Sequence, residues 1–494
     1  MELSLQILFY FFIFTVFYSY AGYGILISII SRVPFLIRLM PKPANAVPSK
    51  LFHSENIHVR NIILEEEFYP TVSLIISASG ETKETLREKI QNTKELLYPR
   101  KKLEVFFAIA FDSSDENETI DEFYDQFIDH SQNENITSKE EEVYIRFIEL
   151  DTHKVYQKSR SIEVLEEVLS SVNFDSEGLK PDSKLAIDNY GTLIESDNTN
   201  ELKIFVTKDI ERKGKVSQVN RTIEKATGEI LVFSDSNTFF NKEALINLTR
   251  HFNNLQVGCV AGEKRVRKGK HSTSGDGEGL YWKYESMLKK ADSKIWTTVG
   301  AAGEIYAIRK SLWEKGEGAR SLNNAIIEDF VVSMRITEKG YRVIYEPEAY
   351  AEEEPTKEIK DEFTRRKRIA AGGFQSIVWL KGLLNIFKYR TLSFQYISHR
   401  VLRWAVVPFL LPVILLMNIL LIIEKPGIIL ALILLMQAGI YLLAAGGSIL
   451  ERNKKKIKIF NIPYMLLMMN ISSYYGLTRF LKGSQTSVWE KVSR

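Results

Sequence analysis

The sequence predicts an α/β fold: a mainly parallel sheet flanked by helices, with transmembrane α-helices at both ends. Three observations carry this. Uncharged apolar stretches long enough to cross a bilayer stand near both termini. Between them, short runs that are apolar throughout alternate with amphipathic ones, the pattern of a sheet covered on both faces. Some of those apolar runs stop abruptly at acidic or amide residues, as in ILVFSDSN at 230–237.

The chain has 494 residues, more than one typical domain. Lys and Arg total 65 against 62 for Asp and Glu, a formal net charge of +3. That near-balance gives no case for a nucleic-acid partner. One cysteine, Cys259, excludes a disulfide within the chain.

Residues 3–30 carry no charge and are rich in Phe, Ile, Leu and Tyr. Glu2 stands before them in place of a basic region, and no small-residue cleavage site is clear, so they read as an uncleaved anchor. Arg32, Arg38 and Lys42 follow, which places the downstream chain in the cytoplasm. Further spans are expected at 404–423 and 427–447, with the basic loop 451–458 on the cytoplasmic side. The apolar stretch 459–475 includes Asn461, Asn470 and two serines; spanning, re-entrant and interfacial placements all stay open.

Residues 40–50 form a proline-rich linker. Strands are expected at 71–78, 103–111, 202–206, 229–234 and 257–261, and helices at 83–96, 216–226 and 242–253. Ligands of such sheets bind outside the carboxyl ends of the strands. Asp112 and Asp235 stand at two of those ends and can share one cleft. The acidic segment 112–200 breaks the rhythm and reads as a solvated, partly disordered insertion, with a docking role as the alternative. The glycine-rich 271–280 reads as a flexible loop.

The chemistry sits in a few places. Asp235 and Asn237, two residues apart on a short loop, offer oxygen ligands to Mg²⁺ or Mn²⁺ shared with a diphosphate; equally, Asp235 can close a turn. Glu328 and Asp329 open a helical pattern that stops at Gly340. Carboxylates there can complement the helix dipole or serve as a general base for a hydroxyl. Arg365 and Arg368 share a helix face and suit a diphosphate, or a solvated or membrane-facing basic patch. Lys215 follows Gly214 at a helix start, a place that attracts phosphate, although no Walker loop is present. The histidines show no zinc spacing. Residues 370–400 mix aromatic, aliphatic and spaced basic side chains, which suits helices at a membrane interface or core packing beneath the α/β domain.

In this order, TVSLIISASGE, LEVFFAIAFD, ERKGKVSQVN, ATGEILVFSDSN, GLYWKYE, VGAAGEIYAI, IIEDF, RRKRI and the closing QTSVWEKVSR make the chain resemble membrane-embedded family 2 glycosyltransferases. That group includes cellulose-synthase-like and hyaluronan-synthase-like enzymes. The resemblance covers most of the chain outside the acidic insertion. It implies a GT-A-type sheet and a Mg²⁺ or Mn²⁺ cofactor. The implied nucleotide-sugar site includes Ser77, Ser79, Glu81, Asp112, Lys213, Lys215, Asp235, Arg365 and Arg368. Asp235 and Asn237 would hold the metal, and Asp329, beside Glu328, would act as base. Asn237 stands where the family has a second aspartate, and Ile369 where it has a tryptophan. The loop Ser77–Glu81 and the long insertion also depart from it.

The expected layout is an anchor at 1–33, a lead-in at 34–67 and a cytoplasmic catalytic domain at 68–369 with the insertion near 113–200. Interfacial helices follow at 370–403, then a membrane region at 404–480 and a tail at 481–494. The resemblance implies a bacterial inner-membrane enzyme that moves sugar from a nucleotide-sugar, UDP before GDP, to a polysaccharide or lipid-linked acceptor among membrane lipid. A second copy or a secretion partner could complete a channel. Single-sugar addition to a lipid and an inactive membrane scaffold are the competing readings.

Overall fold

The computed structural model describes residues 2–48, 68–78, 83–110, 143–149, 202–209, 215–267, 275–314, 322, 324–354, 359–452 and 457–483. Helix α1 (Glu2–Phe17) continues through a π-helical stretch, Tyr18–Gly22, into α2 (Tyr23–Ile30). Nine strands follow among the described residues: β1 (Val72–Ala78), β2 (Leu103–Ala110), β3 (Val143–Glu149), β4 (Leu202–Asp209), β5 (Ile230–Asp235), β6 (Thr238–Phe240), β7 (Val257–Val266), β8 (Ile305–Arg309) and β9 (Arg342–Glu353). They form one sheet in the order β3-β4-β2-β1-β5-β8-β7-β9-β6. β3, β4, β2, β1 and β5 run parallel, as do β7 and β9. β8 is antiparallel to β5 and β7, and β6 to β9.

Both faces are covered, which is why the strands read as unbroken apolar runs. Leu74, Ile76, Val105, Phe107 and Val232 point to one face, where Leu86 and Ile90 of α3 (Lys83–Lys94) pack together with Leu245 and Leu248. On the other face, Ile75, Phe106, Leu231 and Phe233 meet Val216, Val219 and Ile223 of α4 (Lys215–Lys225). The spacing of those three residues is one helical stripe. Leu245 and Leu248 lie on α5 (Ala244–Thr249). Strand alternation therefore turns Ser234 toward the α3 side and Asp235 toward the α4 side.

Three features differ from the sequence expectation. Val143–Glu149, inside the acidic segment, is an edge strand paired with β4. Gly275 to Leu280 begin α6 (Gly275–Ile295) instead of forming a loop. β6, β8 and β9 were not anticipated: β6 has only three residues, and β9 carries Pro347 and several glutamates.

Helix α7 (Glu328–Glu338) ends at Gly340, whose φ is 91°. A Cβ there would lie 1.9 Å from the Asn45 carbonyl oxygen, so glycine is required by both backbone and contact. The proline-rich linker is thus fastened to the domain: Val47 N donates to Gly340 O at 3.0 Å, and Gln256 Nε2 to Val47 O at 2.6 Å.

The arginine-bearing segment is one continuous helix, α8 (Ile359–Trp379), which runs across position 369. Beyond it, Leu380, Leu383, Leu392 and Tyr396 are buried against Trp296, Val299 and Phe330, whereas Ile386 and Phe387 are exposed. The chain then forms α9 (Val407–Glu424), α10 (Ile428–Arg452) and α11 (Lys458–Leu481). Three stretches of the described residues are long and apolar enough to cross a membrane: Leu3–Ile30, Thr391–Glu424 and Ile428–Glu451. α11 lies along α8, with Tyr475 edge-on to Phe363 at 5.7 Å between ring centroids.

Candidate active site

β5 delivers Asp235 to the carboxyl end of the parallel strands, in register with Ser77 of β1. The turn after it is fastened locally: Ser236 N donates to Ser77 O at 3.0 Å, and Thr238 Oγ1 to Asp235 O at 2.9 Å. Lys215, at the first position of α4, reaches over from the same side as Asp235. Its Nζ lies 2.6 Å from Asp235 Oδ1 and 3.2 Å from Glu328 Oε1. The three side chains keep 16%, 15% and 13% of their surface, so they line an opening and are not sealed in the core.

Glu328 and Asp329 form the first turn of α7, where the helix dipole favours negative charge. Gly303 borders both Asp329 and Lys215. A Cβ at Gly303 would stand 3.4 Å from Asp329 Oδ2 and 3.7 Å from Lys215 Nζ. Asp329 retains some surface but is ringed by protein atoms. That desolvation, with the Glu328 and Glu304 carboxylates, pushes its carboxyl up to about 7, while Lys215 pulls the other way. For Lys215, burial opposes the charge, but Asp235 and Glu328 outweigh it and push the ammonium up.

α8 supplies the arginines. Arg365 Nη2 donates to Glu304 Oε1 at 3.3 Å. Burial lowers Arg368 from the ordinary guanidinium value, and the fields of the nearby Glu328, Asp329 and Asp235 carboxylates oppose that shift. Behind these groups lies a set of charges that the sequence pattern does not mark. Lys264 of β7 lies 2.5 Å from Glu304 and also pairs with Glu353 at the end of β9. Glu353 Oε1 in turn accepts from Asn237 Nδ2 at 3.5 Å. Burial alone would raise Glu304, yet Lys264 and Arg365 hold it well below the carboxylate range. The available sequence signal was a glutamate immediately before the apolar run IYAIR.

The structure thus brings together Ser77, Lys215, Asp235, Asn237, Glu328, Asp329, Arg365 and Arg368. Ser79, Glu81, Asp112 and Lys213 lie outside the described residues. Phe233, Tyr306 and Trp313 stack beneath the opening, with centroids 4.6 and 5.3 Å from Phe233.

Asp235 and Asn237 offer a hard cation two oxygen-bearing side chains on one turn. Among the described residues, no group of three or more His, Cys, Asp and Glu side chains could hold a metal. The donor set therefore fits a cation that takes its remaining ligands from phosphate oxygens and water, as Mg²⁺ commonly does.

Residues 194–372 match the family model described as "Glycosyltransferase like family 2". Poly-beta-1,6-N-acetyl-D-glucosamine synthase of Staphylococcus aureus (strain COL) is 27% identical over 233 residues, covering 44% of this chain and 53% of that protein. The same synthase from strain MSSA476 is 26% identical over the same length and shares. The chain thus spans about half the length of the curated relatives it matches. Among solved structures, the mannosyltransferase PcManGT from Pyrobaculum calidifontis, in complex with GDP-Man and Mn²⁺, superposes with a TM-score of 0.56 at 17% identity. That match covers 98% of this chain and 100% of the mannosyltransferase, and it shows a shared fold. Residues 194–372 are thus similar to family 2 glycosyltransferases, within a mostly parallel GT-A-type sheet joined to helices apolar enough to cross a membrane.

Proposed function

We propose that the protein is an inverting glycosyltransferase that moves a sugar from a nucleotide-sugar to a polysaccharide or lipid-linked acceptor at the cytoplasmic face of a membrane. The observation that carries this reading is the meeting of Asp235, Lys215, Glu328, Asp329, Arg365 and Arg368 at one set of strand ends. Lys215, Arg365 and Arg368 orient the donor diphosphate and stabilise the negative charge that builds on it as it leaves. A divalent cation held by Asp235 and Asn237 would add Lewis-acid neutralisation of the same charge. Asp329, with its carboxyl near neutrality, takes the proton of the acceptor hydroxyl. The acceptor oxygen forms its bond to the anomeric carbon while the bond to the diphosphate oxygen breaks. The diphosphate departs with the electron pair, and one in-line step inverts the anomeric centre. Glu328, paired with Lys215, keeps negative charge beside Asp329 and so keeps it basic.

The likeness to a polysaccharide synthase supports polymer extension. Ile369, where the family has a tryptophan, favours the second reading, a single addition to a lipid acceptor. The test is sugar transfer by membranes carrying the full chain, given labelled UDP- and GDP-sugars with Mn²⁺ or Mg²⁺, beside Asp235→Ala. A polymer lost in the variant supports extension, and a small lipid-soluble product moves the reading to single addition. No transfer from any donor by folded protein leaves a membrane scaffold.

A further inference from the structure

Lys89 is one of the largest fully buried side chains, with 1% of its surface exposed. Among the described residues it makes no ion pair, although the Asp235 carboxylate acts on it through space. A methionine of similar length would fill the same space without burying an amine, so the lysine needs an explanation beyond packing. Its contacts supply one. Nζ donates to Ser234 Oγ at 2.6 Å and to the carbonyl oxygen of Thr238. These two residues stand immediately before and after the segment Asp235-Ser236-Asn237. One turn further along α3, Asn92 holds the backbone of Phe240 at both groups: Nδ2 donates to Phe240 O at 2.7 Å, and Oδ1 accepts from Phe240 N at 2.8 Å. The Phe240 ring closes over the Lys89 ammonium at 4.7 Å. Ser234 Oγ and Thr238 Oγ1 each donate onward to Asp235 O, at 3.1 and 2.9 Å.

We propose that Lys89, with Asn92, is a positioning element for sugar transfer: a clamp on α3 that fixes both ends of the turn carrying Asp235 and Asn237. This role rests on the transferase reading given above. The clamp approaches from the opposite face of the sheet to Lys215, so it touches neither donor nor acceptor. It sets the separation of the two oxygen-bearing side chains, which the two-residue turn between β5 and β6 would otherwise leave free to vary.

The experiment uses full-length wild type, Lys89→Met, Lys89→Gln and Asn92→Ala in lipid nanodiscs. Amide hydrogen exchange over residues 234–240 is read beside half-saturation and maximal rate for donor and Mn²⁺. Lys89→Met is expected to speed exchange in that segment and to raise half-saturation by about 10- to 100-fold, the range for losing a hydrogen bond from a charged donor. Maximal rate should fall far less, and Lys89→Gln should recover part of the loss. Unchanged exchange in folded Lys89→Met overturns the clamp. Faster exchange with unaltered half-saturation overturns the positioning role. If Lys89→Met does not fold, Lys89→Gln and Asn92→Ala decide by the same two readouts. If wild type transfers no sugar from any donor, the transferase reading and the positioning role fall together, while exchange still decides whether the clamp exists.

Discussion

Two charged clusters, one at the strand ends and one where α6 meets the apolar helices, are built differently. At the strand ends, Asp235, Glu328 and Asp329 gather around Lys215 and keep some surface, and burial together with the Glu328 carboxylate pushes the Asp329 carboxyl up. At the junction with the apolar helices, Glu285 and Asp292 of α6 are fully buried and saturated with partners. Glu285 meets Arg400, Arg403 Nη1 at 3.2 Å and His399 Nε2 at 3.2 Å. Asp292 meets His399 Nδ1 at 2.7 Å, Gln395 Nε2 at 3.2 Å and the Tyr23 hydroxyl. Burial opposes charge on Glu285, but Arg400 and His399 outweigh it and hold the carboxyl well below its usual range. Carboxylates that are dry and matched fix one arrangement of helices. Carboxylates that are accessible and mutually repelling are left able to exchange a proton and accept a ligand.

The contrast predicts separable effects. The largest belongs to Asp329→Asn: transfer should fall by about 10²- to 10⁴-fold, the usual contribution of a positioned base, while the protein folds and binds donor as before. Initial rates and donor binding on one preparation check this. Near-normal turnover would move the base elsewhere. Glu285→Ala should act on the fold, costing about 3–5 kcal/mol because cations are left buried without a partner. Thermal unfolding in nanodiscs would show it, and unchanged stability would remove the distinction between the clusters.

pH sharpens the comparison further. Asp329 is raised to about 7 in the folded chain, so its proton stabilises the native state at low pH. That contribution is full below the ordinary carboxylate value and lost as pH rises through about 7. Activity runs the other way: the base form fills across the same window, so kcat/KM should drop about tenfold per pH unit below it. A flat profile between pH 5 and about 8 would contradict the assignment. The smallest effect is expected at the rim, where Arg250, 51% exposed, pairs with Glu346. Arg250→Ala should change stability by about 1 kcal/mol or less and leave transfer intact.

Much of the strand-end cluster was legible because each of its parts interrupts a regular pattern. Asp235 ends an apolar run, Glu328 and Asp329 open a helix, and Arg365 and Arg368 share a helix face. The junction was not legible. Glu285, Asp292, His399 and Arg400 look like ordinary charges on amphipathic segments, and only the packing of α6 against the segment before α9 makes partners of residues more than a hundred positions apart. Lys89 was hidden for a related reason: a lysine on an amphipathic helix reads as solvated, and its burial follows from a turn 145 residues away. The antiparallel strands escaped notice because β6 is short and β9 is interrupted by Pro347.

The most direct test of the central claim is nucleotide binding by the strand-end cluster itself. Calorimetric titration of UDP and GDP with Mn²⁺ into the full-length protein in nanodiscs would compare wild type with the double variant Arg365→Ala, Arg368→Ala. The account predicts that wild type binds one of the two nucleotides and that the double variant, with unchanged thermal unfolding, binds it at least about 100-fold more weakly. Equal affinity in both proteins, or no binding of either nucleotide by folded wild type, would contradict it.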